Sequence, residues 1–62
     1  MKITIKAARV NAGYTLTEAA KLLGVNKDTL SNWERGATSP RLKSIEKLVK
    51  LYKCTPEDLF MP

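Results

Sequence analysis

Histidine is absent from this 62-residue chain, and cysteine occurs once, at Cys54. Without histidine the chain holds no imidazole base and no histidine-ligated metal. A single cysteine closes no internal disulfide, which suits a reducing compartment such as the cytoplasm. Cys54 stands in an apolar context and reads as a small core residue rather than a nucleophile. Acidic residues are scarce: six, against eleven Lys and Arg, for a formal net charge of +5. Scattered carboxylates with no glycine-rich phosphate loop assemble no catalytic set, so neither an enzyme nor a bound cofactor or metal is expected. Long apolar runs are missing too. Nothing approaches the ~20 residues that cross a membrane, and the first residues alternate Lys with apolar groups without the apolar core of a signal peptide. No linker, repeat or low-complexity stretch interrupts the sequence, which reads as one small domain over residues 1–62. A domain of this size buries only about 60% of its unfolded surface. The excess of positive charge favours a polyanionic partner; a soluble protein that is merely charged is the plain alternative.

What is present is organised around residues 15–36. Thr15 and Glu18 have the spacing of a capping box, in which each side chain bonds the other residue's backbone N–H. Ala19, Ala20, Leu22 and Leu23 follow as helix formers. Gly24 supplies the positive φ that stops a helix sharply. Asn26 is a second N-cap two residues later, opening a helix over about 26–35 that Gly36 closes. Two short helices thus meet steeply with almost no loop between them, which is a helix-turn-helix. At 100° per residue, Leu30 and Trp33 point to one side of the second helix, with Thr29 beside them. Lys27, Asp28, Ser31, Asn32 and Arg35 point to the other, and these side-chain types can hydrogen-bond base edges.

With these residues in view the chain resembles the Cro/C1-type helix-turn-helix domains, which include phage repressors. The match runs over almost the whole length. It is most specific at Thr15, Glu18–Ala20, Leu23–Val25, Thr29–Ser31 and Trp33–Gly36, and Pro40, Leu48, Thr55 and Leu59 fit the later helices. Leu16 departs from the pattern where the family often has Gln, a residue that holds a phosphate and braces the recognition helix. Ala19 departs where a larger Leu is common. The resemblance implies an all-α, compact five-helix fold like that of lambda repressor, with helices two and three as the helix-turn-helix. It implies a sequence-specific, cytoplasmic regulator of transcription, a repressor by type, bound to a double-stranded DNA operator as a homodimer, without membrane or small-molecule substrate.

The remaining segments read as follows. Residues 3–12 form a first helix, with Ile5, Ala8, Arg9 and Ala12 on one face, ended by Gly13. The first five residues alternate as a strand would, but no partner strand is visible. Arg9 on an apolar face is costly unless paired. Glu34, at the border of the apolar face of the third helix, is its natural partner, and the resemblance implies the same bridge. Tyr14 either staples against Ala19 or offers its hydroxyl to a phosphate. A fourth helix spans about 40–52, with Ser39 as N-cap and Pro40 as its first residue. Leu42, Ile45, Leu48, Val49 and Tyr52 form its core face, while Leu51 falls off the stripe, as a surface Leu or a dimer contact. Lys43, Lys47 and Lys50 read as its solvated face. Thr55, Pro56, Glu57 and Asp58 begin a one-turn fifth helix finished by Leu59 and Phe60, with Cys54 and Leu59 at staple spacing. Leu59, Phe60 and Met61 either cover the core or join a dimer.

Binding would draw its affinity from phosphates at two helix N-termini. One is built from Thr15, Leu16 and Thr17. The other follows Ser39, flanked by Arg35, Thr38 and Arg41, with Asn26 a further phosphate contact. A cation at a helix start opposes the dipole, so Arg41 is better explained by DNA than by the helix; by resemblance it meets the backbone or minor groove. Carried over by position, Lys27, Asp28 and Asn32 read bases, with Ser31 on the same face. Lys27 suits guanine O6/N7, Asn32 adenine N6/N7 and Asp28 cytosine N4, although an acid in a first turn also stabilises the helix unaided. The competing function keeps the fold and turns the third helix toward a protein partner.

Overall fold

The computed structural model describes residues 3–60. In order, a two-residue strand β1 (Ile3–Thr4) leads into α1 (Ile5–Asn11), α2 (Leu16–Leu23), α3 (Lys27–Arg35) and α4 (Leu42–Tyr52). A 3-10 turn (Pro56–Asp58) and a second two-residue strand, β2 (Leu59–Phe60), follow.

The chain ends differ from the sequence expectation. Thr4 is extended, and its hydroxyl accepts from the Ala7 N–H at 3.0 Å, so α1 begins at Ile5 rather than at residue 3. Ile3 and Thr4 pair in parallel with Leu59 and Phe60. The alternation at the N-terminus therefore does mark a strand, whose partner lies at the far end of the chain, beyond reach of any local pattern. The same pairing replaces the fifth helix. Among the described residues there are four α-helices, and the expected one-turn helix is a 3-10 turn running into β2. Thr55 does not cap that turn with its side chain; its hydroxyl donates to Asp58 Oδ2 at 2.9 Å.

The helix-turn-helix forms from local signals. The Glu18 N–H donates to Thr15 Oγ1 at 3.1 Å, and the Thr15 N–H donates back to Glu18 Oε1 at 2.9 Å. Gly24 closes α2 in the left-handed region at φ 76°, letting the Val25 N–H reach the Ala20 carbonyl at 3.0 Å. Gly36 closes α3 in the same way at φ 78°, and the Ala37 N–H donates to the Asn32 carbonyl at 2.9 Å. Lys53 ends α4 left-handed without a glycine, at φ 56°.

One core joins the four helices and β2. It gathers Ile5 and Ala8 from α1, Ala19, Ala20 and Leu23 from α2, and Leu30 and Trp33 from α3. Leu48 and Tyr52 come from α4 and Leu59 from β2. Ile5, Leu30 and Leu48 are fully enclosed, each contributing about 1.5–3 kcal/mol by burial. Leu59 thus belongs to the core rather than to a dimer face, and the expectations for the Phe60 side chain and Met61 lie outside the described residues.

Two corrections fall on α4. It starts at Leu42, not at residue 40, with Arg41 rather than Ser39 at its N-cap. Pro40 is buried in the preceding loop, so its ring packs instead of opening the helix. The shift leaves Leu42 73% exposed, off the core it was expected to join. Leu51, half-buried, packs against the core rather than standing off it.

Candidate nucleic-acid interface

Helix α3 is held from beneath. Leu30 and Trp33 are buried, and an ion pair fixes the helix to α1. Arg9 Nε donates to Glu34 Oε2 at 2.8 Å, and its Nη2 to Oε1 at 3.3 Å. Its Nη1 donates to the Tyr14 carbonyl at 2.9 Å. One guanidinium therefore ties together α1, α3 and the loop before α2. The hydrogen bond that Arg9 donates to Glu34 raises the Arg9 pKa against the opposing effect of burial. Tyr52 lies close enough to feel both charges. Burial, then the Glu34 carboxylate, pushes its pKa up to about 12. Its hydroxyl is buried with no hydrogen-bond partner among the described residues. The Tyr14 ring packs beside that of Tyr52, with centroids 6.4 Å apart at 36°.

Above this support, Lys27, Asp28 and Arg35 are exposed, and Ser31 and Asn32 are half-buried on the same side of α3. An Arg35 guanidinium N–H donates to Asn32 Oδ1, a contact the residue pattern did not disclose. Residues at i and i+3 face one another on a helix, which is the signal that would have found it. Asn26 occupies the N-cap position of α3, but its side chain makes no capping bond; only its carbonyl takes part, accepting from the Leu30 N–H at 3.1 Å. The amide of Asn26 is thereby left free for another partner, a correction to its expected cap.

The two helix N-termini that could meet an anion are not alike. At α2, Thr15 Oγ1 takes the Glu18 N–H and the Thr15 carbonyl takes the Ala19 N–H. The N–H groups of Leu16 and Thr17 point out of the helix end by its geometry. Thr15 and Thr17 are exposed, while the Leu16 side chain packs on the core. At α4 the open end lies beyond Arg41, not directly after Ser39, because the helix begins later than expected. Thr38, Ser39 and Arg41 are all exposed along the loop leading to it, and the Arg41 side chain makes no cap hydrogen bond.

Among the described residues no group of three or more His, Cys, Asp or Glu side chains is placed to hold a metal ion. No described helix is long and apolar enough to cross a membrane.

A supported helix with a bare polar side, entered through a glycine turn from a capped helix, defines a helix-turn-helix module. The helix-turn-helix family model matches residues 5–59, and the chain belongs to that family, in its Cro/C1-type branch. It is 40% identical over 55 residues to the HTH-type transcriptional regulator ImmR of Bacillus subtilis, covering 89% of this chain and 43% of ImmR. It is 33% identical over 61 residues to an uncharacterized HTH-type transcriptional regulator of Archaeoglobus fulgidus, covering 98% of this chain and 87% of that protein. The cryptic phage CTXphi transcriptional repressor RstR of Vibrio cholerae is 40% identical over 48 residues, covering 77% of this chain and 43% of RstR. The chain therefore spans less than half the length of ImmR and of RstR. No solved structure matches the chain at a significant level.

Proposed function

We propose that this chain binds double-stranded DNA sequence-specifically, lays α3 in the major groove, and regulates transcription as a repressor. The observation that carries this reading is the division of α3: Leu30 and Trp33 are buried while Lys27 and Asp28 stand exposed on the opposite side. Relatives named as transcriptional regulators and a phage repressor support the regulatory role. Lys27 donates to guanine O6/N7, Asn32 pairs with adenine N6/N7, and Asp28 accepts from cytosine N4, with Ser31 alongside. Thr15, Thr17, the Leu16 N–H, Asn26, Thr38, Ser39 and Arg41 hold phosphates and set the register. The Arg9–Glu34 bridge keeps α3 at its angle to the rest of the chain without touching DNA.

A module this small reads few base pairs, so two copies act together, with their α3 helices about 34 Å apart on one face of the duplex. The setting for this activity is the cytoplasm. A charge of +5 supports the same partner. The test is duplex affinity measured against salt. Log affinity is expected to fall with a slope of roughly −0.9 per phosphate neutralised. A flat response would transfer the function to the alternative, a protein partner held by α3. Selection from a random duplex pool should return a palindrome if two copies bind together.

A further inference from the structure

We infer that Arg35 is a positioning residue for base recognition, acting through Asn32 rather than on the phosphate backbone; this rests on the DNA-binding reading above. An asparagine amide has two faces of opposite sense. With Oδ1 toward adenine N6 and Nδ2 toward N7 it reads adenine; turned over, it sets donor against donor at N6 and acceptor against acceptor at N7, and that reading is lost. An amide that nothing holds adopts both orientations, so an isolated asparagine must be turned and fixed when it meets the base. Here the choice is made by a neighbour. Arginine carries donors and no acceptor, so only the carbonyl side of the Asn32 amide can face it. The Arg35 guanidinium donates to that oxygen. Oδ1 keeps a second lone pair, so the bond orients the amide without consuming its ability to accept from adenine.

The backbone beneath is equally fixed. The Asn32 carbonyl accepts the Ala37 N–H at 2.9 Å in the cap that ends α3, so the residue cannot swing away from Arg35 by fraying. Arg35 itself is exposed and outside the core, so its replacement leaves the fold intact.

The experiment is parallel selection from a random duplex pool, followed by affinity and salt-slope measurements on the selected sites. The proteins are the parent, Asn32→Ala, Arg35→Ala, Arg35→Lys and the Arg35→Ala/Asn32→Ala double variant. Asn32→Ala should abolish an adenine preference at one position of each half-site. Arg35→Ala should weaken the same preference severalfold, toward no preference rather than toward another base, with a larger loss on adenine sites than on unselected DNA. Arg35→Lys, still a donor without an acceptor, should restore part of it. The double variant should be no less selective at that position than Asn32→Ala alone. An even loss across all sequences in Arg35→Ala, with the salt slope reduced by about one and the adenine preference kept, would overturn the inference and make Arg35 a phosphate contact. An unchanged preference in Asn32→Ala removes the inference while DNA binding stands. A parent chain with no salt-dependent binding removes the functional reading and the inference together.

Discussion

Replacing Glu34 with alanine takes away the carboxylate that receives both Nε and Nη2 of Arg9. The side chains of that pair are only 10% and 8% exposed. Removing one partner of a buried pair costs about 3–5 kcal/mol, because the other charge is left desolvated. Arg9 keeps its bond to the Tyr14 carbonyl, which places the expected cost near the lower end. Against a total stability of about 0.05–0.15 kcal/mol per residue, a loss of about 3 kcal/mol removes a third or more of what holds so short a chain folded. For a domain of this size the corresponding fall in Tm is about 12–24 °C. Thermal melting followed by far-ultraviolet circular dichroism, with Trp33 fluorescence as a second probe, measures it. The double variant Arg9→Met/Glu34→Leu tests the reasoning from the other side. With both charges gone there is nothing left to solvate, so most of the lost stability should return. A loss below about 1 kcal/mol in Glu34→Ala would match an exposed pair and refute the account.

Three further outcomes follow from the packing. Tyr52→Phe removes a buried hydroxyl that has no partner among the described residues, so stability near neutral pH should be unchanged or slightly higher. The Tyr52 pKa is raised from 10.0 to about 12, so the folded state favours the neutral phenol. The parent should therefore lose stability between about pH 10 and 12 in a way that Tyr52→Phe does not share; equal alkaline losses in the two would contradict this. Leu48→Ala should cost about 2–5 kcal/mol in urea denaturation, whereas Leu42→Ala, lying outside the core, should stay within about 0.5 kcal/mol. A large effect at Leu42 would mean that α4 begins earlier than residue 42. The Glu18 pKa is lowered by hydrogen bonds from Thr15, backbone first. Its contribution is thus present above the ordinary carboxylate range and lost as pH falls through the lowered value. Thr15→Ala should flatten that acid limb; an unchanged acid limb in Thr15→Ala would show that the capping box does not set it.

The helix-turn-helix was legible because its determinants are neighbours. A Thr and a Glu three residues apart make a capping box wherever the chain can turn. Gly24 and Gly36 accept left-handed backbone with no side chain to oppose it. The division of α3 into a buried Leu30–Trp33 side and a polar side follows from helical period alone. The Arg9–Glu34 pair was legible for a different reason: a charge on an apolar stripe demands a partner, and few residues could serve. The Arg35–Asn32 contact was missed although its spacing was in plain view, because a polar pair on a solvated face announces no cost that must be met.

The ends of the chain and the start of α4 could not be read this way. Ile3 and Thr4 pair with Leu59 and Phe60 only because the packed helices bring the two ends together. A strand of two residues has no periodicity to display beforehand. Ser39 and Pro40 carry a helix-start signal, and the burial of Pro40 in the loop overrides it, moving the cap to Arg41. Local chemistry, with interactions spanning three or four residues, was enough to determine that this chain makes a helix-turn-helix and which side of its second helix stays bare. Packing decided where the flanking elements begin and end, because those boundaries are set by which side chains the finished core has room to enclose.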